Sequence, residues 1–162
     1  MDQSNSDSAQ LELSFHTSLT EIDCSEWNAL VGSSDPCIRY EFLNALEAQT
    51  CVGQEYGWYP YHLAVRDNHN SLLGACPLYV KTNSYGEFVF DWSWASAYER
   101  AQVEYYPKMV CSVPYNPVTG ARLLSPSSHI KKIMIEQIIK LGEKMQMSGV
   151  HFLFTNEEDT QI

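Results

Sequence analysis

No run in this 162-residue chain approaches the roughly 18 consecutive apolar residues that a membrane helix requires. Met1 to Gln10 is polar and acidic and lacks the apolar core of a secretory signal, so it reads as a flexible polar tail on a cytoplasmic protein. The five cysteines are odd in number and form no C-x-x-C pair, which argues against both a disulfide framework and a zinc site. The five histidines show no H-x-x-x-H spacing, so no metal is expected. Basic residues are scarce, with 10 Lys and Arg against 20 Asp and Glu, for a formal net charge of −10. The deficit is lopsided: residues 1–60 hold ten acids and a single base, Arg39, whereas residues 61–162 hold ten acids and nine bases. Such a chain repels phosphate backbones, and nucleic acid is an improbable partner.

The length suits one domain, with residues 11–156 as its body and 157–162 as a solubilising acidic tail. Leu11 to His16 alternates apolar and polar side chains as a half-buried strand does. Ser25–Val31 and Arg39–Gln49 read as helices, the first capped by Asp23 or Ser25, with Gly32–Pro36 as the loop between them. Gln54–Pro60 reads as an aromatic loop. Tyr61–Arg66 and Leu72–Thr82 then form a hairpin across the turn Asp67–Ser71. Phe88–Phe90 and Lys108–Val113 are further strands. A long helix follows, started by Ser125-Pro126 and ended by Gly149, with Ile130, Met134, Ile138, Leu141 and Met145 on its buried stripe. Its lysines, Lys131, Lys132, Lys140 and Lys144, read as a solvated face. Val150–Phe154 is the last strand, and the order strand, helix, strand predicts a crossover that lays it beside or near Lys108–Val113. The predicted fold is α/β of the α+β kind: a mixed, largely antiparallel sheet flanked by helices.

The densest chemistry lies between Ser84 and Arg122. Glu87 and Asp91 stand four residues apart around Phe88-Val-Phe90, which in an extended segment puts both on one side beside Trp92 or Trp94. A carboxylate against aromatic walls can serve as a general base. The competing reading is a pair of strand-end acids bonded to backbone amides or to Arg100. In an extended segment one of Trp92 and Trp94 faces the pocket and the other packs in the core. Tyr85, Tyr98, Tyr105 and Tyr106 offer hydroxyls to a substrate carbonyl or leaving group, or pack at the edge of the core. Lys108, Thr119, Gly120 and Arg122 form the best local anion site, with a plain turn as the alternative.

The segments Y-E-F-L-N-A-L-E (40–47), G-W-Y-P-Y-H-L (57–63), G-A-C-P-L-Y-V-K (74–81), Y-G-E-F-V-F-D-W-S-W-A-S-A-Y (85–98), Y-Y-P-K (105–108) and P-V-T-G-A-R-L-L (117–124) together resemble, in order, a bacterial group of predicted N-acyltransferases. These are related to the FemAB peptidyltransferases and the GNAT superfamily and are labelled peptidoglycan biosynthesis or recognition proteins. The resemblance covers roughly Trp27 to Glu158. It implies a GNAT-like fold lacking its C-terminal strands, because family members are longer and this chain resembles their N-terminal half. It implies transfer of an acyl or aminoacyl group to an amine, with Glu87 or Asp91 as base and Tyr98 as the donor to the oxyanion. Tyr85, Trp92, Trp94, Tyr105, Tyr106, Lys108, Thr119, Gly120 and Arg122 would then bind substrate, a small molecule or a peptide-bearing cell-wall precursor. The usual cofactor of such folds is acyl-CoA, held by a glycine-rich turn. Here the strand-to-helix loop, Pro114 to Ser125, carries only Gly120. That departure favours a rival reading, a non-catalytic recognition lobe. A homodimer or a separate C-terminal half would complete either.

Overall fold

The computed structural model describes residues 11–32, 35–89 and 91–162. The expected tail at 1–10, Ser33 and Ser34 of the first inter-helix loop, and Phe90 of the expected Phe88–Phe90 strand lie outside the described residues. The chain is a mixed α+β fold. The described residues form seven strands: β1 Glu12–His16, β2 Trp58–Pro60, β3 His62–Arg66, β4 Leu72–Cys76, β5 Leu78–Lys81, β6 Lys108–Cys111 and β7 Val150–Phe152. The α-helices are α1 Cys24–Val31, α2 Tyr40–Ala48, α3 Trp92–Arg100, α4 Ser128–Lys144 and the short α5 Glu157–Thr160.

The strands form two sheets rather than the single one expected. One has the order β1-β3-β4 and is antiparallel; the other has the order β2-β5-β6-β7, with only β6 and β7 parallel. The expected hairpin is present and runs through both. Its first arm is β2 then β3, its second β4 then β5, and the Tyr61 amide donates to the Leu78 carbonyl at 2.8 Å where the arms cross from one sheet to the other. Pro77 stands at that crossing. Having no N–H, it cannot extend the ladder, so the strand expected over 72–82 is broken there. The crossover is as expected: α4 delivers β7 beside β6, with Met109 opposite Val150.

Side-chain alternation builds the layers. Ala64 and Ala75 face α1 and α2, joining Trp27, Ile38 and Leu43. Leu63, Val65, Cys76, Met109 and Cys111 face α4 and meet Ile130, Met134 and Ile138. Gly74 lets α4 come close; a Cβ there would sit 2.7 Å from Ile130 and 2.9 Å from Met134. Cys76 and Cys111 are free thiols buried in this layer, as their strand positions imply.

Helix boundaries differ in detail. Asp23 caps α1 by accepting from the Ser25 and Glu26 amides. The N-cap of α4 is Ser127 rather than Ser125, because the Ser125 hydroxyl is committed to the Leu73 carbonyl at 2.8 Å. Its C-cap is Met145 rather than Gly149. Lys131 is not on a solvated face. It is buried, and its ammonium meets Glu158 at 2.7 Å and Asp159 at 2.9 Å. Residues 157–160 are therefore not a solubilising tail but a helical turn that brings buried Asp159 against the body.

Candidate functional site

The second sheet has two unlike faces. Met109, Cys111, Val150 and Phe152 look toward α4. The opposite face carries Trp58, Tyr79, Lys81, Lys108 and His151, placed together by the registers Trp58↔Lys81, Lys81↔Lys108 and Val110↔His151. Two lysines on a buried sheet face demand partners. The connection from β5 to β6, residues 82–107, covers this face and supplies them.

Lys108 is 1 % exposed, and its ammonium lies 2.8 Å from Glu87 Oε2 and 2.6 Å from Asp91 Oδ2. Glu87 and Asp91 are buried as well. They converge without a strand: Gly86 turns the chain at φ 79°, a Cβ there would meet the Tyr115 ring at 2.5 Å, and Asp91 is the N-cap position of α3. Asp91 collects further donors. Tyr105 donates its hydroxyl proton to Oδ2 at 2.7 Å, Ser84 Oγ donates to Oδ1, and Ser84 Oγ is also bonded to the Tyr106 hydroxyl. The rings of Tyr98, Tyr105 and Tyr106 stack edge to face in series, at 5.1 and 4.9 Å between centroids.

The two acids sharing Lys108 are driven in opposite directions. Burial pushes both carboxyls up. For Asp91 the hydrogen bonds from Lys108, Ser84 and Tyr105 outweigh burial and hold it below the usual range, so it stays ionised. For Glu87 burial prevails over Lys108 and the pKa is raised; its Oε1 finds no hydrogen-bond partner among the described residues. Burial would depress Lys108, but the bonds to Asp91 and Glu87 win and raise it. Lys81, fully buried 3.9 Å over the Trp58 ring, bonds among the described residues to the Tyr85 carbonyl at 3.1 Å and to Asn83 at 3.4 Å, and burial lowers it to about 7. Burial, then Lys108, depresses His151. Burial, then Asp91, raises Tyr105.

Over this cluster opens a cleft of about 630 Å³, lined by Asn83, Ser84, Tyr85, Trp92, Tyr105 and Tyr106 on its floor and walls and by Glu99 and Glu104 among the remainder. Asp91, Glu87 and Lys108 do not line it; the cleft reaches Asp91 through the hydroxyls of Ser84 and Tyr105. Of the residues singled out from sequence, the structure thus brings together Tyr85, Glu87, Asp91, Trp92, Tyr105, Tyr106 and Lys108. Tyr98 stands behind Tyr105 and is not among the lining residues. Trp94 does not pack in the core: Trp92–Arg100 is helical rather than extended, and Trp94 is 66 % exposed.

The expected anion site comes apart. Lys108 points into the acid cluster. Arg122 is fully buried, its guanidinium donating to the carbonyls of Leu153, Ala121 and Val118. The Gly120 amide donates to Phe154 O at 3.0 Å, and the Arg122 and Leu123 amides both donate to Asp159 Oδ2. Thr119 is exposed. With these amides occupied, the loop does not fit a CoA pyrophosphate, which needs free N–H groups. Sequence reasoning missed Ser84, whose role depends on Tyr106 lying 22 residues away, and Lys81, which reads as an ordinary strand-end lysine.

These observations define an α+β protein with a hydroxyl-floored, acid-backed cleft over one sheet face. The chain belongs to the FemAB-like family, described as peptidoglycan biosynthesis/recognition, whose model matches residues 18–162. Comparison with curated proteins and with solved structures gives no match. No helix among the described residues is long and apolar enough to cross a membrane.

Proposed function

We propose that this chain handles the amine acceptor in N-acyl transfer to a cell-wall precursor. The observation that carries this reading is Asp91: a carboxylate held ionised by Lys108 and joined to an open cleft through hydroxyls. Attack of an amine on an acyl carbonyl needs a base for the departing N–H proton and a fixed approach. An amine in the cleft would hydrogen-bond to Ser84 Oγ, and its proton would pass through that hydroxyl to Asp91 as the new N–C bond forms and the donor's leaving group departs. Glu87, with its raised pKa and its place behind Lys108, tunes the cluster rather than meeting substrate.

The test is acyl transfer to an amine-bearing muropeptide, with Asp91→Asn against Glu87→Gln. Loss of a general base costs about 100-fold or more, so Asp91→Asn should fall by that factor and Glu87→Gln by much less. Wild-type rates in Asp91→Asn would remove Asp91 from the role of base. A second reading, a recognition lobe without catalysis, is favoured by the occupied amides of the Pro114–Ser125 loop, which offer no acyl-CoA site. Turnover separates the two: transfer from an activated acyl donor to an amine-bearing cell-wall fragment supports catalysis, and thermal stabilisation by such fragments without transfer supports recognition.

A further inference from the structure

The directions of three protons can be worked out from the bonding around Asp91. An ionised carboxylate only accepts, so Ser84 and Tyr105 must each be donors to it. A serine hydroxyl has one proton. With that proton spent on Asp91, Ser84 can only accept from Tyr106, so the Tyr106 proton is directed at Ser84. All three hydroxyl protons of the cleft floor therefore run inward, toward the buried acid. The hydroxyl oxygens of Ser84 and Tyr105, both lining residues, each keep a lone pair for a further donor. The rest of the lining includes the aromatic side chains of Tyr85 and Trp92 and the exposed carboxylates of Glu99 and Glu104, which favour a cation. Behind the floor, Lys108 is paired with Glu87 and Asp91, and the ammonium of Lys81 is bonded to the Tyr85 carbonyl and to Asn83.

We propose that this floor makes the cleft selective for a primary ammonium, with Ser84 Oγ as the residue that reads its N–H. A primary ammonium on an apolar stem satisfies every group at once. Its N–H bonds go to Ser84 and Tyr105, its charge lies against the aromatic faces, and its stem contacts Trp92. A quaternary ammonium keeps the charge and loses the hydrogen bonds; a carboxylate meets the accepting oxygens of Ser84 and Tyr105 and the charges of Glu99 and Glu104, and is repelled. The inference rests on the acceptor-site reading above for the identity of the ligand as substrate, but the selectivity stands or falls without any transfer reaction.

The experiment is titration of the protein with n-butylammonium, tetramethylammonium and butyrate, followed by amide chemical shifts of residues 83–106. In the wild type, n-butylammonium should bind about tenfold more tightly than tetramethylammonium, the factor that one or two charge-assisted hydrogen bonds supply, and butyrate should not bind. Ser84→Ala should bring the two cations within about twofold of each other, and Ser84→Thr, which keeps a hydroxyl, should restore the difference. Glu99→Gln with Glu104→Gln should weaken both cations alike and leave their ratio unchanged, because Coulomb attraction does not distinguish them. If Ser84→Ala fails to fold, Tyr105→Phe removes the second acceptor and should narrow the ratio. Equal binding of the two cations by the wild type, or an unchanged ratio in a folded Ser84→Ala or Tyr105→Phe, overturns the proposal. Selective ammonium binding with no acyl transfer to any amine would overturn the transferase reading and leave this one standing. Transfer without ammonium selectivity would do the reverse.

Discussion

Lys108 holds Glu87 at 2.8 Å and Asp91 at 2.6 Å in a site from which solvent is excluded. Three buried charges of this kind are costly to separate. Removing one member leaves the others uncompensated, at about 3–5 kcal/mol. Lys108→Met should accordingly lower the urea midpoint strongly, and the triple replacement of Lys108, Glu87 and Asp91 by apolar residues should recover much of that loss; equal damage in both would mean the charges matter little to the fold. Lys81 makes an opposite kind of prediction. Its folded pKa near 7 lies below its ordinary 10.5, so between those values the unfolded chain binds the extra proton. Stability then rises with pH across that window and is lowest below about 7. Lys81→Met should raise the thermal midpoint below about pH 7 and lose this advantage as the pH approaches 10.5. A pH-independent effect of Lys81→Met would contradict the assignment.

At the scale of elements, the legible and the illegible parts of the sequence have physical explanations. The hairpin, α1, α2, α4 and the pairing of β7 with β6 follow from local periodicity and turn chemistry, which the chain states within a few residues. The helix α3 was concealed because W-S-W-A alternates at period two, and helical spacing emerges only over the whole of Trp92–Arg100. Lys131 looked like its neighbours Lys132, Lys140 and Lys144; its burial depends on α5, which lies 26 residues further on. Glu87, Asp91 and the tyrosines were visible as a concentration of residue types, but their wiring through Ser84 and Lys108 needs contacts across 7 to 22 residues. Two substitutions probe local devices. Ser127→Ala removes the α4 cap and should cost about 1 kcal/mol, or roughly 2–4 °C in thermal midpoint. Gly86→Ala should cost more, since it meets both a positive φ and the Tyr115 ring, and it should perturb the cleft as well as the fold.

At the scale of the molecule, the acidic excess is not all solvated. Asp159 accepts from the Arg122 and Leu123 amides and pairs with Lys131, so α5 ties the loop after β6 to α4. Asp159→Ala leaves two amides without their acceptor and the buried Lys131 ammonium with Glu158 alone, and about 3 kcal/mol should be lost. A denaturation midpoint within experimental error of the wild type would show that tie to be dispensable.

The hairpin that passes through both sheets has a consequence for how the molecule comes apart. β3 is the central strand of the first sheet, and β5 is an inner strand of the second. They belong to opposite arms of one hairpin, joined across the crossing by the Tyr61–Leu78 bond. Neither sheet can lose its interior strand without opening the ladder that the other shares. Amide exchange should therefore report one cooperative unit, with the slowest protons of β3 and β5 released at a common rate rather than sheet by sheet. The acid cluster, set on Lys81 and Lys108, would then be as durable as the molecule's most protected core.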